Sequence, residues 1–215
     1  ERLWIGKFPS KNDPFSLQRV ECATLELARR AGMDAARARV QGVGPHDVLM
    51  VERFDREYSP KGYFRHGMVS AMTMVGADES LSSRPRWSYP LLADQLRRWS
   101  TRPDADRVEL FRRMVFNAAI TNDDDHPRNH AVLRTAKGWR LSPAYDIVPA
   151  RRVSLEHRDL ALAVGDHGRT ASIFNLVSQC ARFGLSREEA RKVIDAVVAV
   201  VGTWREVFEA GGVAA

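Results

Sequence analysis

The sequence predicts an α+β fold in two unequal lobes, and three features carry that expectation. Residues 1–55 read as strand, helix, strand, strand. From about residue 67 onward most of the chain follows the helical period. The helices are interrupted by two short non-helical blocks, 121–133 and 139–149. The expected division is a small mixed lobe over 1–55 and a larger, mostly helical lobe over 56–215.

Leu3-Trp4-Ile5-Gly6-Lys7-Phe8 is the first strand, followed by a loop marked by Pro9, Asp13 and Pro14. Ser16 opens a helix in which Val20, Ala23, Thr24, Leu27, Ala28 and Ala31 share one face, and Gly32 supplies the stop. Residues 36–41 and 47–54 are strands joined by Gly42-Val43-Gly44-Pro45. The second leads straight into the helical lobe and is expected to be the hinge. Residues 57–67 are polar and turn-rich. Helices are predicted over 67–75, 88–100, 104–120, 171–183 and 186–210, the last opened by Ser186 and Glu189 at capping-box spacing.

A chain of 215 residues with 44% hydrophobic and 28% charged residues is ordinary globular material, which excludes disordered, fibrous and disulfide-miniprotein classes. The longest apolar run, 196–202, is far short of the roughly 18 residues a membrane span needs, so no membrane partner is expected. Cys22 and Cys180 lie far apart in helical sequence, without zinc spacing, and suit a reducing, cytoplasmic compartment. The chain opens in the middle of a strand pattern without an initiator Met, so residues upstream are expected. The unusual feature is charge. Lys and Arg total 33 against 27 acids, a net +6, and only five of the 33 are Lys. That balance invites a nucleic-acid reading. The Arg pairs 84/86, 97–98, 112–113 and 151–152 are scattered, however, and are expected on solvated faces.

The chemistry concentrates in the two non-helical blocks. Thr121-Asn122-Asp123-Asp124-Asp125-His126-Pro127-Arg128-Asn129-His130 places three successive acids between an apolar helix and an apolar strand, Ala131-Val132-Leu133. An exposed acidic turn is the plain alternative. Like charges gathered between two core elements make better sense around a cation, and carboxylate and amide oxygens suit Mg²⁺. Asp124 and Asn129 have the Asp-x4-Asn spacing of a kinase catalytic loop, in which the Asp accepts the acceptor hydroxyl's proton and the Asn holds metal. Beyond one hairpin, turning at Ala136-Lys137-Gly138, Asp146 lies in an apolar stretch where a kinase needs its second metal-binding Asp. A helix cap or a buried ion pair is the alternative for Asp146. Lys7 at its strand end can hold nucleotide phosphates, with Glu21 rather than Glu26 placed to orient it. Backbone near Glu52 to Phe54 would meet adenine.

Together these blocks resemble the HipA family of bacterial toxin kinases. The matching strings are Trp4-Ile5-Gly6-Lys7-Phe8-Pro9, Val20-Glu21 with Leu27-Ala28-Arg29-Arg30-Ala31-Gly32, Val51-Glu52-Arg53-Phe54-Asp55-Arg56, Asn122 to His130, and Leu141-Ser142-Pro143-Ala144-Tyr145-Asp146-Ile147. The resemblance implies a bilobal fold akin to protein and phosphoinositide kinases, and a Ser/Thr protein kinase using ATP and Mg²⁺. It makes Asp124 the catalytic Asp, His126 the loop-ordering His, Asn129 and Asp146 the metal ligands, Lys7 the phosphate lysine, and Glu52 and Phe54 the adenine-side hinge. It also implies a small helix-turn-helix antitoxin of the HipB type as partner, DNA contact only through that antitoxin, and an aminoacyl-tRNA synthetase as a protein substrate. The family's Gly/Ser phosphate loop and N-terminal domain precede the Lys strand and are absent from these residues. If that loop is truly lacking, ATP binding should be weak. A small-molecule or lipid kinase, and a non-catalytic corepressor or pseudokinase, are the competing readings. The intact Asp124/Asn129/Asp146 set argues against a pure binding module.

Overall fold

The computed structural model describes residues 2–11, 13, 15–150 and 158–213. The loop marker Pro14 and the pair Arg151–Arg152 lie outside the described residues. Strand β1 (Trp4–Lys7) pairs antiparallel with β3 (His46–Glu52), which pairs antiparallel with β2 (Ala38–Val43), giving the order β1-β3-β2. Helix α1 (Leu17–Arg30) packs its Val20, Ala23, Leu27 and Ala28 face inward, as its period requires. Ser16 Oγ accepts from the Arg19 N–H to cap it, and Gly32 ends it at φ +80°. The register puts Lys7 opposite Leu49, so the end of β1 is fixed by a wholly buried neighbour.

The turn-rich stretch after Arg56 is in fact a hairpin, β4 (Arg56–Ser59) and β5 (Gly62–Arg65), turning at Gly62 with φ +111°. Neither strand has a buried face, so the alternation that marks a strand in sequence is missing. An edge-to-face Tyr58–Tyr63 pair at 5.4 Å holds it instead. The helix predicted over 67–75 is mostly replaced. Met68–Ser70 forms strand β6, paired with β7 (Ala131–Thr135), which pairs with β8 (Gly138–Leu141). Only Ala71–Met74 (α2) is helical, capped by Ser70. Val69 opposite Val132 gains a pairing partner that a helix could not offer. Strand β3 therefore enters the helical part through β4, β5 and β6 rather than directly.

Helices α3 (Tyr89–Trp99) and α4 (Pro103–Ile120) form the centre. Leu110, Phe111, Met114, Val115 and Phe116 on α4 are all essentially inaccessible, so this helix is buried on nearly every side. The stretch predicted as one helix over 171–183 is α5 (Ile173–Ser178) followed by a 3-10 turn at Cys180–Phe183. The one predicted over 186–210 is α6 (Arg187–Val201) and α7 (Trp204–Ala210), broken at Gly202 and Thr203. The break lets α7 turn and pack against α1. The capping box is present in full: Ser186 and Glu189 exchange hydrogen bonds. No helix among the described residues is long and apolar enough to cross a membrane.

Two buried charged groups knit the parts together. Arg113, expected on a solvated face, is 1% exposed. Its guanidinium donates to the carbonyls of Ser142 at 2.7 Å and Asp34 at 3.3 Å and pairs with Glu109 at 3.1 Å. Glu109 in turn accepts from the Asp34 N–H. Asp106, in the first turn of α4, accepts from Arg140, Ser100 Oγ and the Leu141 N–H, joining α3, α4 and β8. Burial would raise its carboxyl, but these bonds hold it below its ordinary value.

Removing Asp106 strands Arg140 and two further donors, so Asp106→Ala should lose roughly 3 kcal/mol of stability, read from urea midpoints. Because the folded carboxyl titrates lower than the unfolded one, wild type keeps this contribution above the unfolded value of 3.8 and loses it as pH falls through the lower folded value. Asp106→Ala should therefore show a shallower loss of stability between neutral and strongly acid pH than wild type.

Candidate active site

Lys7 closes β1 and reaches two acids from different elements. Its Nζ lies 2.7 Å from Glu21 Oε1 on α1 and 2.5 Å from Asp146 Oδ1, which is 139 residues along the chain. Glu21, 6% exposed, is the helix acid that contacts Lys7, whereas Glu26 pairs with Arg29 and Arg30. Burial alone would lower the Lys7 ammonium. The charges and hydrogen bonds of Glu21 and Asp146 outweigh it and hold the group above its ordinary value. Burial pushes the Glu21 carboxyl up, against the pull of Lys7, and the negative charge of Asp146 adds to the rise.

Asp146 is held in the left-handed region at φ +58°, a conformation non-glycine residues seldom adopt without a constraint, although Asp tolerates it better than most. The constraint is nearby. Ala144 pairs with the 34–36 segment through two hydrogen bonds, Ala36 N–H to Ala144 O at 2.8 Å and Ala144 N–H to Asp34 O at 2.7 Å. Tyr145 donates to the Arg128 carbonyl at 2.6 Å and packs its ring 5.6 Å from that of Phe54. Asn129, 6% exposed, donates its amide N–H to the carbonyls of both Asp124 and Asp146 at 3.4 Å. Its amide oxygen is left as the atom a cation could use.

Two cavities meet at Asp146. One, about 220 Å³, is lined by Ile5, Lys7, Glu21, the 51–55 segment, Met68, Tyr145 and Asp146. Its apolar walls and flat aromatic rings suit a nucleobase. In its hinge segment the Glu52 and Arg53 N–H groups are spent on the carbonyls of Arg37 and Leu3, and Glu52 pairs with Arg2 at 3.0 Å. The other cavity, about 620 Å³, is lined by Leu17, Asn122, Asp123, Asp124, Asn129, Asp146 and the 148–150 segment. Its donor set is oxygen only, as Mg²⁺ requires. Among the described residues no three His, Cys, Asp or Glu side chains form a cage. The fit is therefore to a cation held partly by protein and partly by substrate phosphates.

The three acids of the loop separate. Asp123 and Asp124 are exposed at the second cavity, but Asp125 turns inward and is 2% exposed, contrary to an exposed acidic turn. Its Oδ2 accepts from Tyr89 Oη and faces His130 Nε2 at 2.9 Å. Burial would raise this carboxyl; the charge and hydrogen bond of His130 hold it below its ordinary value. Within the loop the His126 N–H donates to the Asp124 carbonyl and the His126 carbonyl accepts from the Asn129 N–H. Its buried Nδ1 has no partner among the described residues. All eight residues picked out from sequence thus line the two cavities or brace the loop between them. Tyr145, Met68 and Asp125 were not picked out. Tyr145 is the one with a signal, an aromatic ring next to the apolar-flanked Asp146.

A family model for the HipA-like C-terminal domain matches residues 1–204. A curated relative, the serine/threonine-protein kinase toxin HipA of Shewanella oneidensis, is 24% identical over 168 residues, covering 72% of this chain and 39% of the relative. Among solved structures, HipA of Shewanella oneidensis MR-1, determined with HipB and operator DNA, superposes with a TM-score of 0.78 at 21% identity, covering 97% of this chain and 51% of that one. The proinflammatory kinase CtkA of Helicobacter pylori superposes with a TM-score of 0.60 at 12% identity, covering 99% and 89%. The likeness to both structures is one of fold. The chain spans between 34% and 52% of the length of the curated relatives it matches.

Replacing Glu21 by Gln removes one of the two negative charges on Lys7 while its burial stays. The Lys7 ammonium should then titrate lower than in wild type, followed through the ¹³Cε shift of Lys7. An unchanged midpoint would mean that Asp146 alone sustains the charge.

Proposed function

The chain belongs to the HipA-like C-terminal domain family, and from that premise we propose that it is the kinase region of a Ser/Thr protein kinase toxin. It would move the γ-phosphoryl group of ATP to a protein hydroxyl, with residues 1–55 as the nucleotide-side lobe and 56–215 as the helical lobe. The single observation that carries the proposal is the position of Asp146. It lies where the aromatic-walled cavity and the acidic cavity meet, with Lys7 and Glu21 on one side and Asp124 and Asn129 on the other.

In this reading the adenine sits between Ile5, Met68, Phe54 and Tyr145, and Lys7 takes the phosphates as a point charge oriented by buried Glu21. Bound Mg²⁺ would supply positive charge against the negative charge that develops in phosphoryl transfer. Asn129 and Asp146 are the residues that would hold it. Asp124, exposed and next to them, accepts the proton of the acceptor hydroxyl as that oxygen bonds to the γ-phosphorus and the bond to the departing ADP breaks. The net products are a phosphoester, ADP and a proton. Lys7 and Asp146 already touch. Nucleotide entry would therefore exchange an internal ion pair for contacts to phosphate and cation, and the site is charged and ordered before substrate arrives.

The likeness to HipA solved with HipB and operator DNA supports an antitoxin of the HipB type as partner, with DNA contact through that antitoxin; an aminoacyl-tRNA synthetase as the protein substrate is what the sequence resemblance implies. A cytoplasmic location accords with the two free cysteines.

Asp124→Asn should lower γ-phosphate transfer to protein about a hundredfold or more with the melting temperature unchanged, followed with γ-labelled ATP. ATP with Mg²⁺ should raise the melting temperature of wild type, and less so that of Asp146→Asn. Full transfer by Asp124→Asn would refute the assignment. Transfer to a small molecule or lipid instead of protein would redirect it to those kinase classes, and no shift together with no transfer would favour the corepressor reading.

A further inference from the structure

The acids of the loop point to opposite sides. Asp123 and Asp124 are exposed turn residues, and the His126 N–H on the Asp124 carbonyl closes a tight turn about the buried Asp125. Asp125 is drawn in by a chain of buried polar groups from four places in the fold. Tyr89 of α3 and His130, just before β7, both engage its Oδ2. The Tyr89 hydroxyl also accepts from Asn117 Nδ2 of α4 at 3.0 Å, and Asn117 Oδ1 accepts from Asn122 Nδ2 at 3.1 Å. Tyr89 and His130 further meet edge to face at 5.4 Å. Each of these five residues is 2% exposed or less. A carboxylate buried so deeply is tolerated only while its partners stay in place, so the network holds the loop to one conformation. Its attachment points on the loop, Asn122 and Asp125, bracket Asp124.

We propose that Asp125 is a positioning residue for phosphoryl transfer: anchored by Tyr89 and His130, it turns Asp124 outward and holds it at the acceptor hydroxyl. Only the catalytic meaning of this role rests on the kinase reading. The holding of the loop does not. An aliphatic residue at 125 would fill the same space but leave the loop free to shift, and even a displacement of about 1 Å at a reacting group can cost a hundredfold in rate.

The test uses Asp125→Asn, which keeps the volume, and Tyr89→Phe, which removes one donor and leaves the loop sequence intact. Hydrogen exchange is read at the His126 and Asn129 amides, whose partners are loop carbonyls. In both variants exchange there should quicken about tenfold or more while α6 amides keep wild-type rates. The kcat for phosphate transfer should fall about tenfold or more with the KM for ATP within about twofold. Unchanged exchange at the loop overturns the proposal whatever the activity does. Exchange that rises equally in α4, α6 and the loop, with kcat lost only in proportion to folded protein, also overturns it, since the network would then be merely structural. If wild type itself transfers no phosphate, the kinase reading fails. The exchange data then decide alone whether Asp125 holds the loop.

Discussion

The geometry of the site depends on the buried Arg113. Its guanidinium binds the Ser142 carbonyl of the segment that leads to Asp146 and the Asp34 carbonyl that follows α1, with Glu109 beside it. Those two segments then pair with each other, the Ala36 N–H donating to the Ala144 carbonyl and the Ala144 N–H to the Asp34 carbonyl. Asp146 sits two residues beyond Ala144, and Lys7 is on the sheet that packs against α1. The contact between Lys7 and Asp146 is therefore set by a clasp several residues away from either. A buried cation without partners would be prohibitively costly, so the clasp has few alternative arrangements. The restricted backbone at Asp146 is tolerated for the same reason.

Around this centre the excess of Arg takes on a structural meaning. Arg19 grips Asp47 with two nitrogens, Arg53 and Arg56 share Asp55, Arg140 grips Asp106, and Arg182 grips Asp94. The planar, forked guanidinium suits such two-point contacts, and a Lys would not replace it at these positions. Much of the positive charge that first pointed to nucleic acid is spent on joining helices, strands and turns to one another. Asp123 and Asp124, which are in no such pair among the described residues, gather at the proposed cation site, with Asp146 shared between it and Lys7.

The parts legible in sequence are those whose signal is local. The α1 stripe, the capping box at Ser186, the β7–β8 hairpin and the 104–120 helix all follow from spacing within one segment. So does the choice of Glu21 over Glu26, since Glu21 borders the apolar stripe that faces the sheet. What was illegible lacks such a signal. The β4–β5 hairpin has no buried face to impose alternation, β6 is a strand only because β7 is beside it, and the break between α6 and α7 serves packing on α1.

The amino-acid sequence alone determined the element types, the order of the charged blocks and the residue types able to hold a nucleotide and a cation, because periodicity and spacing are properties of neighbours along the chain. Only the tertiary structure decided that Lys7 and Asp146 touch, that Arg113 is buried while Arg112 is not, and that of three consecutive aspartates one turns inward while two face the cavity. Those outcomes depend on which distant carbonyl or hydroxyl can satisfy a buried charge. Such partners are fixed by the packing of α1, α3, α4 and β7 against one another.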